Sequence, residues 1–282
     1  MGTSNLTYKD YSFAEHKAVY LSLEVTLKQF GVFYYLIGAN ARDVQMYKAG
    51  VKPHRGTADI DFAVMLPDIE TYHEIRNNLK QKGFEEAYGN LPYRLLYKPT
   101  NTVIDLLPYG EIAQKNTVTF TERAVELSVV GMHEVGSASE NFEHPEGFTI
   151  PVSPAHGIVI LKLVSWSEKP DRTKDLTDIK ALLDAAWELY ETEFFQENSP
   201  YADLFDTDNF KMHLAAARVM GRKMQAILNQ NQDLKTLIVS EIEKELNATV
   251  GPKAQQLVAG TTQTIAEIKT IFNALLTGIN DN

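Results

Sequence analysis

The sequence predicts an α/β (α+β) protein in which a domain with a mixed β-sheet is followed by an all-helical C-terminal domain. Short apolar runs alternate with helical patterns from residue 33 to about residue 150, which is typical of a sheet flanked by helices. After Pro151 and Pro154, nearly every segment has helical periodicity. A stretch rich in Gly, Ser, Glu and Asn precedes these prolines, so we expect domains at 1–150 and 151–282.

The elements of the first domain are predicted from their apolar spacing. Residues 13–30 are predicted to form an amphipathic helix, and a strand at 33–38 ends in a turn before a helix from Ala39 to about Lys48. The remaining expected elements are a strand at 59–65, a helix at 69–80, and strands near 84, at 94–97 and at 103–107. In the second domain, the helices are interrupted near Pro170, Ser199-Pro200 and Gly251-Pro252.

The octet Arg-Gly-Thr-Ala-Asp-Ile-Asp-Phe at residues 55–62 carries the main functional signal. Side chains alternate along a strand, so Asp59 and Asp61 share one face, roughly 6 to 7 Å apart. Repulsion and desolvation oppose two carboxylates inside an apolar strand, and a divalent cation removes that conflict. Acid-x-acid pairs are common in a chain with 37 acidic residues, so the apolar context decides in favour of a site.

A third acid, Asp105, lies in the apolar run at residues 102–108, where an unpaired carboxylate would be costly. If this strand lies beside the first, three carboxylates converge and can hold one or two Mg²⁺ ions, which take oxygen ligands and substrate phosphates. Asp105 could also act as a general base. The alternative is that Asp105 pairs with a nearby arginine such as Arg94 or caps the end of a strand.

Three weaker signals accompany the acids. The strand that ends at Gly38-Ala39 leads into a helix N-terminus, which is a phosphate site in outline and also an ordinary strand-to-helix turn. Lys162 lies in an apolar helix, where its stem is expected to be partly buried. Its ammonium group therefore needs an anionic partner or access to the surface. Asp175 and Asp178 share a helical face, where they either serve a site or form a salt bridge with Lys174 or Lys180.

These residues match a known family. Gly38-Ala39, the stretch His-Arg-Gly-Thr-Ala-Asp-Ile-Asp at 54–61, and the strand with Asp105 together resemble the DNA-polymerase-β-like nucleotidyltransferase superfamily. Within it, the chain is most similar to the AbiEii-type toxin nucleotidyltransferases of abortive-infection and type IV toxin–antitoxin systems. The segments Leu-Lys-Leu-Val-Ser-Trp at 161–166 and Lys-Asp-Leu-Thr-Asp at 174–178 look like the second half of that family. The resemblance covers roughly residues 31–185.

The resemblance implies a role for each of these positions. Asp59 and Asp61 would bind the metal with the triphosphate, and Asp105 would complete the metal site and activate the acceptor hydroxyl. The residues implied to bind or position the nucleotide are Gly38, Ala39, Arg55, Thr57, Lys162, Asp175 and Asp178, with Lys162 neutralising phosphate charge. Ala39 stands where the family usually has Ser or Gly, and the interval from Gly38 to Asp59 is longer than usual.

The implied reaction is metal-dependent transfer of a nucleoside monophosphate from an NTP to an acceptor hydroxyl, with release of pyrophosphate. The implied acceptor is an RNA, specifically a tRNA 3′ end, and the implied partner is an antitoxin protein. One alternative is a nucleotidyltransferase that modifies a small molecule such as an aminoglycoside. The other is a degenerate fold that only binds nucleotide or a protein, an interpretation that depends mainly on Ala39.

Composition narrows these alternatives. The net charge of −10 argues against nonspecific binding to a nucleic-acid backbone and mildly favours a cationic small substrate. A local basic cluster on one C-terminal helix could guide RNA or could be a solvated face; it comprises Lys211, His213, Arg218, Arg222 and Lys223. The absence of cysteine excludes disulfides and thiolate chemistry. No stretch is long and apolar enough to span a bilayer, so we expect a cytoplasmic protein.

Overall fold

The structure is a computed structural model that describes residues 6–89, 91–170, 172–205, 210–259 and 261–281. The chain divides into two compact units. Unit 1 comprises Met1–Tyr47 and Lys52–Pro154, and unit 2 comprises Lys48–Val51 and Ala155–Asn282. A mixed sheet in unit 1 and helices in unit 2 confirm the predicted fold class.

Unit 1 contains nine strands and four α-helices among the described residues. The strands are β1 (Tyr34–Ile37), β2 (Asp59–Met65), β3 (Phe84–Glu86), β4 (Arg94–Tyr97), β5 (Thr102–Tyr109), β6 (Thr117–Phe120), β7 (Val125–Ser128), β8 (Glu140–His144) and β9 (Phe148–Val152). The helices are α1 (Lys17–Gln29), α2 (Gly38–Lys48), α3 (Ile69–Gln81) and α4 (Met132–Ser137).

Seven strands form one sheet in the order β3-β4-β5-β2-β1-β9-β8, and β6 and β7 form a separate hairpin. β2 is parallel to β5, and β1 is parallel to β9, whereas the other neighbours are antiparallel. β2 lies in the middle of the sheet because Ile60, Phe62 and Val64 are buried on it. Its partner β5 brings Asp105 directly opposite Asp61. The sheet order therefore determines where the acidic side chains meet.

The polar stretch before Pro151 is part of the sheet, although the sequence analysis found no strand there. β9 alternates buried and half-buried residues, and it crosses the expected boundary at residue 150 to end at Val152. β8 is an edge strand with only two buried positions, Phe142 and His144. An edge strand exposes one side to water, so its polar composition hides it from a search for apolar runs.

Unit 2 consists of helices. They are α5 (Ala155–Glu168), α6 (Thr173–Asp184), α7 (Ala186–Phe195), α8 (Met212–Leu228), α9 (Gln232–Asn247), α10 (Pro252–Val258) and α11 (Ile265–Ile279). α8 and α11 cross so closely that a Cβ atom at Gly221 would lie 2.2 Å from the carbonyl oxygen of Leu275. Among the helices described in either unit, none has the length and apolar character needed to cross a bilayer.

Candidate active site

Three carboxylates meet on the central strands of unit 1. Asp59 and Asp61 project from β2, and Asp105 projects from β5 at the position paired with Asp61. One carboxylate oxygen from each of the three residues lies within 4.8 Å of the other two. Asp105 is buried, and Asp59 and Asp61 are half-buried. The structure thus brings together the three acids that the sequence analysis selected.

Arg94 holds Asp105 from the other side. β4 pairs antiparallel with β5, which places Arg94 opposite Asp105. The Nε and Nη2 atoms of Arg94 donate to Oδ1 and Oδ2 of Asp105, each at 2.8 Å, and Nη2 lies 3.6 Å from Oδ2 of Asp59. The hydrogen bond with Asp105 raises the pKa of Arg94. The two alternatives for Asp105, a carboxylate cluster and an arginine pair, therefore both hold.

This donor set fits a hard divalent cation. The three carboxylates and Arg94 carry a combined formal charge of −2, which one divalent ion balances. All donor atoms of the three acids are oxygens, the ligands that Mg²⁺ prefers. A carboxylate oxygen has two lone pairs, so both oxygens of Asp105 can still bind another group while they accept from Arg94.

Gly38 allows the N-terminus of α2 to approach the acids. Its φ angle is +67°, and a Cβ atom at this position would lie 2.1 Å from Oδ2 of Asp61. Glycine adopts this backbone without strain, and it alone leaves space for the Asp61 carboxylate because it has no Cβ atom. Ala39 follows in the first turn of α2 and is buried. The helix thus begins one residue earlier than predicted, with its first backbone N–H groups beside the acidic cluster.

Thr57 connects the loop before β2 to the acidic cluster. Its hydroxyl donates to Oδ1 of Asp59, and its backbone N–H donates to Oγ of Ser12 at 3.0 Å. The side-chain amide of Asn40 donates to the backbone carbonyl of Asp59 at 2.7 Å. Asp59 is thereby held through its side chain and its main chain.

Arg55 lies on the same loop, and a buried ion pair fixes its backbone. Arg42, whose side chain is 2% exposed, pairs with Asp43 at 2.5 Å and donates from Nη2 to the carbonyl of Arg55 at 2.8 Å. Asp43 also accepts from the backbone N–H of Ser12 at 3.1 Å. The sequence analysis missed this pair, although two adjacent charges in a helix packed between apolar strands are a usable signal for a buried contact.

In unit 2, the structure brings together Lys162, Asp175 and Asp178. The ammonium of Lys162 lies 2.8 Å from Oδ1 of Asp175 and 3.0 Å from Oδ2 of Asp178. Asp175 also accepts from the hydroxyl of Ser165 at 3.0 Å and pairs with Arg172. The two acids thus form a salt bridge, the alternative to a nucleotide site, but their partner is Lys162 from the neighbouring helix and not Lys174 or Lys180. Burial lowers the pKa of Lys162, but the two carboxylates outweigh it, and the net shift is upward.

The model of one protein family, described as the nucleotidyl transferase AbiEii toxin of type IV toxin–antitoxin systems, matches residues 46–236. That match covers more than half of the chain. The protein belongs to this AbiEii family. Its members are nucleotidyltransferases, so this chain is a nucleotidyltransferase, and the resemblance found in the sequence is confirmed. The matched residues include all three acids and the Lys162 cluster but begin after Gly38.

Three solved structures are distantly similar to this chain. The solution structure of antibiotic-resistance factor ANT(2″)-Ia is 14% identical, with 69% of this chain and 96% of that chain covered and a TM-score of 0.37. The crystal structure of ANT(2″)-Ia with adenylyl-2″-tobramycin is 13% identical, with 60% of this chain and 88% of that chain covered and a TM-score of 0.35. The crystal structure of an antigenic nucleotidyltransferase-like protein from Paracoccidioides brasiliensis is 15% identical, with 80% of this chain and 93% of that chain covered and a TM-score of 0.40. A comparison with curated proteins finds no match.

The contact between Gly38 and Asp61 predicts a specific effect of Gly38→Ala in this AbiEii nucleotidyltransferase. The added methyl group would displace the Asp61 carboxylate, so we expect nucleotidyl transfer to fall by about 10²-fold or more. Gly31→Ala is the matched control, because Gly31 has a φ angle of +66° and no atom within 4 Å of the added Cβ. Both variants carry similar backbone strain. Equal activity of the two variants, measured alongside thermal unfolding, would contradict the role assigned to Gly38.

The buried cluster predicts that Lys162→Met destabilises unit 2. Removing the ammonium leaves Asp175 and Asp178 buried with too little positive charge, so we expect the free energy of unfolding to fall by about 3–5 kcal/mol in urea titrations. Lys174→Met on exposed surface is the control and should change the free energy of unfolding by about 0.5 kcal/mol or less.

Because the pKa of Lys162 is raised, the stabilisation that Lys162 provides is complete below its unfolded-state pKa and disappears as pH rises through its folded-state pKa. Unchanged stability of Lys162→Met would show that the contacts of Lys162 with Asp175 and Asp178 contribute nothing to the free energy of unfolding.

Proposed function

We propose that this AbiEii nucleotidyltransferase uses Mg²⁺ to transfer a nucleoside monophosphate from an NTP to a hydroxyl at the 3′ end of a tRNA. The convergence of Asp59, Asp61 and Asp105 within 4.8 Å is the observation that carries the metal-dependent chemistry. Membership of a toxin family supports the RNA acceptor and an antitoxin protein as partner.

Asp59, Asp61 and Asp105 would hold one or two Mg²⁺ ions through carboxylate oxygens. The metal would supply positive charge that offsets the triphosphate and the charge developing in the transition state. Thr57 keeps the Asp59 carboxylate in place, and Arg94 orients the Asp105 carboxylate through two hydrogen bonds. These contacts come from the protein itself, so the site would need little reorganisation for catalysis.

In the proposed reaction, the acceptor hydroxyl oxygen forms a bond to the α-phosphorus of the NTP while the bond from that phosphorus to pyrophosphate breaks. Asp105 would accept the hydroxyl proton, using a lone pair that is not engaged by Arg94. Backbone N–H groups of Gly38 and Ala39 at the start of α2 would bind phosphate oxygens, and Ala39 contributes no hydroxyl. No covalent protein nucleophile takes part.

The remaining nucleotide contacts stay predictions. Arg55 and Thr57 lie on the loop that precedes β2, where phosphate contacts were expected. Asp175 and Asp178 are fully buried, and the ammonium of Lys162 already contacts both of them. For Lys162 to neutralise phosphate, it would have to exchange a carboxylate for a phosphate oxygen. Its observed contacts support a role in stabilising unit 2.

The basic cluster on α8 does not add support for an RNA acceptor. Arg218 and Arg222 both pair with Asp281, and Arg222 also pairs with Asp203. Lys223 pairs with Glu193 at 2.8 Å. Much of the charge in this cluster is therefore neutralised within the protein. A cationic small molecule such as an aminoglycoside is the second candidate acceptor, and the net charge of −10 favours it.

Incubation with Mg²⁺, each labelled NTP, total tRNA and an aminoglycoside panel tests the proposal. We expect label on tRNA, dependent on the divalent metal and absent from the aminoglycosides. Asp59→Asn and Asp61→Asn should each lower the rate by about 10²-fold or more and weaken Mn²⁺ binding in a titration without NTP.

Glu126→Gln is the control for these substitutions, because Glu126 is an exposed acid on β7 of the same unit. It should retain wild-type transfer and metal binding. If label appears only on an aminoglycoside, the acceptor is the cationic small molecule and not tRNA. Transfer that persists in EDTA, or in both Asp→Asn variants, would refute the metal-dependent mechanism.

A further inference from the structure

Unit 1 has a large cavity at the end of the sheet away from the acids. Its volume is about 960 Å³, and Met65 and Tyr109 lie on its wall. These two residues are paired in register at the ends of β2 and β5, four positions beyond the pair Asp61 and Asp105. Four residues of strand span roughly 13 Å. The cavity is therefore separate from the candidate active site, although the same two strands reach both.

Apolar side chains form one wall of this cavity. They include Phe30, Phe33, Met65, Leu66 and Val129. Phe33 and Met65 are each 38% exposed, which is unusual for large apolar side chains next to a sheet. A smaller cavity of about 470 Å³ shares both residues. Sites for small organic ligands typically measure about 300–1,000 Å³ and have mainly apolar walls, so this cavity has a suitable size and lining.

The charged side chains around the cavity are mostly acidic. Glu74 on α3, Glu111 after β5 and Glu134 on α4 line it, against the single basic side chain of Lys115. With His133 neutral, these groups carry a formal charge of −2. Glu74 and Glu111 are exposed, and their carboxylates form no ion pair with any residue in the described parts of the chain. Their charge thus remains available to a ligand.

We infer that this cavity binds a small organic cation with an apolar body, such as an aromatic or aliphatic amine. The apolar wall would bury the body of the ligand, and Glu74 and Glu111 would attract its ammonium group. The same carboxylates oppose an NTP or another polyanion. A bare metal ion would gain nothing from the apolar wall. The inference concerns a second site and does not depend on the proposed acceptor or on metal dependence at the acids.

Probes that share a ring and carry a positive, a negative or no charged side chain test the inference. Tryptamine, indole and indole-3-acetate share a ring, as do phenethylamine and phenylacetate. We expect each amine to bind the full chain at least tenfold more tightly than its carboxylate counterpart, measured from ¹⁵N chemical-shift titrations. The shifts should centre on Gly31, Gly110 and His133, which line the cavity. The NMR measurement locates the site without using catalytic activity.

Three variants complete the test. Glu74→Gln with Glu111→Gln should weaken amine binding at least fivefold and leave indole binding unchanged. Ala113→Trp, which places a bulky ring on the cavity wall, should weaken binding of all probes at least fivefold, and Glu122→Gln at an exposed acid outside the cavity should change nothing. Unchanged thermal unfolding establishes that each variant is folded. The inference is overturned if no amine binds at millimolar concentration, if amines and carboxylates bind equally, or if the shifts map to Asp59, Asp61 and Asp105.

Discussion

Three carboxylates within 4.8 Å of one another repel, and the centre of unit 1 has to compensate for that repulsion. Arg94 supplies one positive charge through two hydrogen bonds to Asp105 and a longer contact with Asp59. The remaining formal charge of −2 matches a single divalent cation. Arg94 thus offsets part of the repulsion among the acids and leaves the charge that a metal would balance.

Neighbouring contacts fix this cluster from several directions. Gly38 provides space for the Asp61 carboxylate, and Thr57 and Asn40 hold the side chain and main chain of Asp59. The buried pair of Arg42 and Asp43 connects α2 to the loop before β2. The contacts of Gly38, Asn40 and Arg42 join the start of α2 to residues of β2 and its preceding loop, where β1 ends and β2 begins. Preorganisation of this kind is what charge stabilisation in phosphoryl transfer requires.

The sequence predicted much of this arrangement, because isolated acids in apolar strands are costly and therefore informative. It identified β2, β5 and the convergence of their acids. It could not choose between a metal cluster and an arginine pair for Asp105, since that depends on the register between β4 and β5. The requirement for glycine at position 38 is also visible only in the three-dimensional structure, because a lone glycine between a strand and a helix is common in sequences.

The least predictable features depend on tertiary packing. β8 was missed because an edge strand can be polar and still pair. β9 was missed because it includes Pro151, which the sequence analysis placed at the domain boundary. For Asp175 and Asp178, the sequence analysis left open a nucleotide site or a salt bridge with Lys174 or Lys180, whereas the contact between α5 and α6 gives them Lys162 as a partner. The shared helical face of the two acids was visible in the sequence. The partner was not, because helix packing determines which residues on neighbouring helices meet.

The most direct test of the acidic cluster is a crystal structure with Mn²⁺ and a non-hydrolysable NTP analogue, with the ion located by anomalous scattering. Our account predicts a Mn²⁺ ion bound by oxygens of Asp59, Asp61 and Asp105 and by the phosphates, with Arg94 still in contact with Asp105. An ion bound elsewhere, or an Asp105 carboxylate that contacts Arg94 alone while the nucleotide is bound, would contradict it.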